Sequence, residues 1–176
     1  DTLREKSEML TPDHLALART VAQQSIVLLK NEKNILPLDK SVRTIALIGP
    51  LADNRIDPLG PWAVVGRPGD VVTVLEGVKQ KILPQTKLLF ARGCAISSDS
   101  STDIEQAVRV ANQADVAVVV LGEDAHMSGE AASRSNLDLP GRQNELLKAI
   151  HQTGKPIVLV LMNGRPLTIP WAAENV

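Results

Sequence analysis

The chain has a single cysteine, no tyrosine, one phenylalanine and two tryptophans, and it lacks any long apolar run. Cys94 has no partner for an internal disulfide and no metal-ligand spacing around it, so it reads as a small buried or half-buried residue. No apolar stretch approaches the roughly 18 residues that a membrane-spanning helix needs. Charge of one sign is also missing: 19 Lys and Arg stand against 20 Asp and Glu, a formal net charge of −1. That balance leaves no electrostatic footprint for nucleic acid or an anionic membrane. There is no internal repeat and no low-complexity tract, and the Gly-x-Gly-x-x-Gly fingerprint of dinucleotide folds is absent. No signal peptide opens the chain. Asp1 rather than Met stands first, so the sequence reads as a piece of something longer.

What is present is an ordinary globular composition, 44% hydrophobic and 22% charged over 176 residues, enough for one domain with a sizeable core. Strand and helix signals alternate along it. Thr11-Pro12 is an N-cap with proline at the first helical position. Beyond it Leu15, Ala18, Ala22, Ile26 and Leu29 recur at helical spacing, predicting a helix over 11–31. Residues 44–48 predict a strand stopped by Gly49-Pro50. A helix is expected over 72–83, ended by Pro84, then a strand over 87–90, a helix over 103–114 and a strand over 116–121. A helix over 140–152, ended by Gly154, and a strand over 156–161 complete the series. Strands of continuous Val, Ile and Leu are buried on both faces, which indicates a parallel sheet covered by helices. The expected fold is therefore α/β, an open, mostly parallel sheet sandwiched between helices. Residues 1–40 read as an entry helix and linker, and 41–176 as the sandwich.

In such sheets ligands sit beyond the carboxyl ends of the strands. Two connections at that end are long: 49–71 after the first strand and 122–140 after the third. The second uses about eighteen residues where a strand-to-helix connection usually takes two to six, and loops of that length are functional or disordered. It carries Glu123, Asp124, His126, Glu130 and Arg134. A carboxyl group on a positioned loop can serve as a general acid or base. One histidine among scattered acids is thin material for a metal site, and a solvated acidic loop is the plainer alternative. The first long loop holds Trp62 within Leu59-Gly60-Pro61-Trp62. A tryptophan among glycines and prolines can be a stacking platform for a sugar ring or a cap on the sheet edge.

Residues 18–38 (Arg-Thr-Val-Ala-Gln-Gln-Ser-Ile-Val-Leu-Leu-Lys-Asn, then Ile-Leu-Pro-Leu), 45–53 (Ile-Ala-Leu-Ile-Gly-Pro-Leu-Ala-Asp) and 60–62 follow a recognisable order. So do 128–134, Leu139-Pro140 and 155–166 (Lys-Pro-Ile-Val-Leu-Val-Leu-Met-Asn-Gly-Arg-Pro). In that order and over nearly the whole chain, they resemble the second domain of glycoside hydrolase family 3, in particular the bacterial periplasmic-type β-glucosidases. The resemblance implies a retaining exo-β-glycosidase whose missing N-terminal barrel carries an aspartate nucleophile. This domain would supply the acid/base glutamate across the cleft. The family's acid/base precedes a Ser-Arg or Asp-Arg pair, which here falls on Glu130 before Ser133-Arg134, with Glu123 as its rival. Trp62, Met127 and Ser128 would touch substrate, and Arg134 would be an orienting partner or a structural ion pair. Where the family pattern has a second cleft tryptophan, near Gly66, this chain has no aromatic residue. A β-linked glucoside or oligosaccharide is the implied substrate, with no cofactor and no metal, and a periplasmic or secreted location. The family's sheet continues past residue 176, so the domain is expected to be truncated at its C-terminal end, leaving an open edge. The alternative is a non-catalytic carbohydrate-binding or scaffolding module, which would not need Glu130.

Overall fold

The computed structural model describes residues 2–98 and 103–176, which fall into two compact units, 1–33 and 34–176. The first unit holds helices α1 (Thr2–Glu8) and α2 (Pro12–Ser25). Thr11 caps α2 by accepting the His14 N–H at 3.3 Å. The helix expected to reach residue 31 stops at Ser25, because Ile26 turns extended at φ −71°, ψ 127°. The β-branched pair Ile26-Val27 helps explain the early stop, since such side chains lose rotamer freedom in a helix. α2 buries none of its residues, and Leu15, Leu17 and Val21 are each more than half exposed.

The second unit is an α/β sandwich: β1 (Thr44–Ile48), α3 (Val74–Lys79), β2 (Lys87–Ala91), α4 (Ile104–Asn112), β3 (Val116–Gly122), α5 (Gln143–His151), β4 (Ile157–Met162) and α6 (Pro170–Asn175). The four strands form one parallel sheet in the order β2-β1-β3-β4. Side chains alternate between its faces, as the two-residue strand period requires. Ala46, Ile48, Ala117, Val119 and Leu121 face Ala107 and Ala111 of α4 and Leu146, Leu147 and Ile150 of α5. Ile45, Leu47, Val116, Val118 and Val120 face Leu51, Ala52 and Leu75. Every residue of β3 is buried, as its unbroken aliphatic run requires. Burial pushes the Cys94 thiol up to about 11, in keeping with its place in the core.

Helix boundaries are tighter than the sequence pattern suggests, for local reasons. α3 begins at Val74 because Thr73 and Glu76 make a capping box, each side chain bonding the other's backbone N–H. The Thr73 N–H, with Arg55 beside it, holds the Glu76 carboxyl below its ordinary range. α5 begins at Gln143 rather than Pro140, after Gly141 at φ 55°. The Gln143 side chain is fully buried. Its amide donates to the Gly122 carbonyl at 2.7 Å and the Ile96 carbonyl at 2.8 Å and accepts the Gly122 N–H at 2.8 Å. It thereby pairs backbone groups at the end of β3 that would be costly to leave unmade.

Two glycines end strands for a steric reason. Gly49 and Gly122 have φ 126° and 146°, and a Cβ on either would overlap the backbone of the neighbouring strand, at Val120 and Met162 respectively. The chain leaves β1 for β2 on one side and later returns to β3 on the other, so the strand order reverses between β1 and β3. A crevice outside the carboxyl ends of the strands at such a reversal is where open α/β sheets bind ligands.

Candidate active-site loop

The two long loops leave from β1 and β3, the strands that flank the reversal. They are joined to each other. Asp57, in the first loop, accepts the Ala125 N–H of the second at 2.8 Å. Its other oxygen takes the Asn54 amide at 2.6 Å. Each loop also folds into short 3-10 turns, Asp57–Leu59 and Pro68–Asp70 in the first, Ala125–Met127 in the second. At the tip the loops meet again: a methyl group added at Gly129 would lie 2.9 Å from Pro61 Cγ and 3.8 Å from Trp62 Nε1. Trp62 is 66% exposed, so its ring stands beside the Gly129-Glu130 turn with much of its surface open.

The two carboxylates that compete for the acid/base role sit in opposite environments. Glu123 follows β3 directly, its side chain only 1% exposed. One oxygen takes the guanidinium of Arg134 and lies 3.6 Å from Arg165 Nε; the other accepts the Gly164 N–H at 3.2 Å. Its own N–H donates to the Met162 carbonyl at 2.9 Å. Glu123 is thus a scaffold group with both oxygens occupied. Glu130 is exposed and makes no hydrogen bond or ion pair among the described residues. It occupies the second position of a turn closed by the Ala132 N–H on the Gly129 carbonyl at 3.3 Å. Ala131 follows at φ 61°, the left-handed conformation that a type II turn demands at its third position.

The remaining site candidates fall on the same loop. Met127 and Ser128 are half-buried. Ser128 Oγ lies in the space that a Cβ on Gly164 would take, so the loop seats against the turn after β4. Arg134 reaches Glu123 and the Asp138 carbonyl, the latter at 3.0 Å, rather than the Glu130 carboxylate. Three participants escaped the sequence reading: Asp57, Gln143 and Arg165. Arg165 has a signal in the sequence, since it stands in the 155–166 segment that carries the family resemblance. The other two have no pattern that distinguishes them from surface polar residues. No group of His, Cys, Asp and Glu among the described residues is arranged to hold a metal ion.

Comparison with known proteins decides the family. Residues 26–176 match the glycosyl hydrolase family 3 C-terminal domain. The chain belongs to glycosyl hydrolase family 3. It is 43% identical to the periplasmic beta-glucosidase of Salmonella typhimurium, over 89% of this chain and 23% of that protein. It is 41% identical to a beta-xylosidase of Formosa agariphila, over 98% of this chain and 24% of that protein. Among solved structures, the beta-glucosidase from Listeria innocua in complex with isofagomine superposes with a TM-score of 0.87 at 34% identity, covering 96% of this chain and 23% of that one. This family 3 domain therefore spans about a quarter of the length of the curated relatives it matches. None of its described helices is long and apolar enough to cross a membrane.

Proposed function

We propose that this family 3 domain supplies the acid/base of a retaining exo-β-glycosidase, a β-glucosidase in the first instance. Glu130 is the proton donor, and an aspartate on an N-terminal barrel is the nucleophile. The observation that carries this reading is the contrast on one loop: Glu123 is consumed by its scaffold, while Glu130 is presented free on the turn after Gly129, the residue that meets Pro61 and Trp62. Retention needs two carboxyl groups about 5–5.5 Å apart, one attacking and one protonating the leaving oxygen. A carboxyl on an exposed turn can meet the second need once another domain closes over it and excludes water. Trp62 offers a face for a sugar ring or aglycone, with Met127 and Ser128 bordering it. Arg134 orients the loop through Glu123. In the proposed organisation residues 1–40 are the entry helix and linker from the barrel and 41–176 the sandwich. The name of the Salmonella relative favours a periplasmic or secreted setting.

The test is a leaving-group series in the full polypeptide. Glu130→Ala should spare glycosylation by a dinitrophenyl glucoside, whose leaving group departs unprotonated. It should slow an alkyl glucoside or disaccharide about 10²–10⁴-fold, the usual worth of a positioned acid. Azide should restore the turnover lost in deglycosylation, since it attacks the intermediate without base assistance. Rescue in Glu123→Ala but not in Glu130→Ala would reverse the assignment. The isolated chain, holding half of the site, should hydrolyse no aryl β-glucoside; turnover above the buffer rate in a clean preparation would refute the two-domain site. A non-catalytic module of the same fold would show neither behaviour in any context.

A further inference from the structure

Arg165 lies just beyond β4, yet it grips the loop that follows β3. Its Nη2 donates to two backbone carbonyls, those of Met127 and Ala132, the latter at 2.7 Å. These two carbonyls flank residues 128–131, so one nitrogen closes the neck of the turn whose tip is Glu130. The Arg165 Nε has no hydrogen bond among the described residues and stands 3.6 Å from Glu123 Oε1, an electrostatic contact inside a buried site. Glu123 is itself tied to the end of β4 through the Gly164 N–H and the Met162 carbonyl. A second observation is independent of charge: Ser128 Oγ fills the space beside Gly164, so only a residue without a Cβ lets the loop seat there.

We propose that Arg165 is the positioning residue for the acid/base, fixing where the Glu130 carboxyl stands by clamping both ends of its turn to β4, and that Glu123 serves to hold that guanidinium in place. This rests on the reading of Glu130 as the acid/base. The clamp acts at the backbone, which suits a glutamate that must keep its own oxygens free for substrate. The guanidinium meets the two carbonyls with Nη2 while its Nε faces Glu123. An ammonium has to serve the carbonyls and the carboxylate from one nitrogen on a flexible stem, without the fixed planar fork.

The experiment compares Arg165→Lys with Glu130→Ala in the full polypeptide. Arg165→Lys should keep a cooperative melting transition. It should lower kcat for an alkyl glucoside or disaccharide by about 10-fold or more, in line with the penalty for misplacing a catalytic group by around 1 Å. KM, and the glycosylation rate with the dinitrophenyl glucoside, should change little. Deuterium uptake by peptides covering 127–132 should quicken while that of β3 and β4 stays as it was. An equal loss on all substrates, tracking the folded fraction, or unchanged uptake at 127–132, overturns the positioning role. Should Arg165→Lys fail to fold, Gly164→Ala displaces the same turn without removing a charge and should give the same leaving-group-selective loss; absence of that selectivity overturns the proposal equally. If Glu130→Ala itself shows no leaving-group dependence, the acid/base reading falls first. Quickened uptake in Arg165→Lys would then still establish the clamp, with a purpose other than proton transfer.

Discussion

The root and the tip of the loop after β3 offer two glutamates seven positions apart with opposite designs. At the root, Glu123 is withdrawn from water and surrounded by two arginines and a backbone N–H. At the tip, Glu130 stands exposed on a turn and bonds nothing described. A carboxylate needs partners to be buried, and those of Glu123 take up both of its oxygens. The Glu130 carboxyl is placed by its backbone turn alone. A like division separates the first long loop from the sheet beneath: the central strands β1 and β3 carry no aromatic side chain, and Trp62 stands at the surface.

The largest expected effect breaks this comparison directly. Glu123→Ala leaves Arg165 and Arg134 without their buried counter-charge, and breaking such a pair costs about 3–5 kcal/mol of stability. Glu130→Ala removes an exposed side chain without partners and should stay within about 0.5 kcal/mol. Urea unfolding of both variants measures this, and equal losses would show that root and tip are not distinct.

A smaller effect is expected at Trp62, which sharpens the comparison from the neighbouring loop. With two thirds of its surface open, its truncation should leave stability nearly unchanged. In the full polypeptide Trp62→Ala should raise KM for aryl glucosides or disaccharides, by an amount corresponding to about 1 kcal/mol of lost stacking. A lowered melting temperature with unchanged KM would make it a cap on the sheet edge.

Much of the scaffold was legible because each strand announces itself. The β3 run Val116-Ala117-Val118-Val119-Val120-Leu121 is short and rich in β-branched valine, as suits a doubly covered strand, and Gly49 and Gly122 mark strand ends where a neighbour's backbone leaves no room for a Cβ. Helix ends were less legible, since Thr73 and Gly141 decide them through hydrogen bonds and φ angles that periodicity does not register. The candidate loop was conspicuous by its length and its acids. Its internal wiring was hidden because Arg165 and Asp57 are distant in sequence from what they hold, 33 and 68 positions from Ala132 and Ala125. Strand order was hidden too. Only the sheet itself puts β1 beside β3 and brings Trp62 to Gly129.

The smallest expected effect concerns the tip alone. Ala131 sits at φ 61°, where a Cβ crowds the following carbonyl at a cost of roughly 1–2 kcal/mol. Glycine adopts that conformation freely, but it also gives the unfolded chain more freedom to lose, which returns about 0.5–1 kcal/mol. The two terms oppose each other, and the conformational one is the larger. Ala131→Gly should therefore stabilise by about 0.5 kcal/mol, against the ordinary loss for an alanine replaced by glycine. The clamp from Arg165 makes this a test of the tip's conformation: if the neck at Met127 and Ala132 holds the turn as described, residue 131 is forced to positive φ and gains from losing its Cβ. A loss of stability near 1 kcal/mol in chemical unfolding would mean that Ala131 occupies an ordinary conformation in solution, and that the turn bearing Glu130 is not the one closed by the Ala132 N–H.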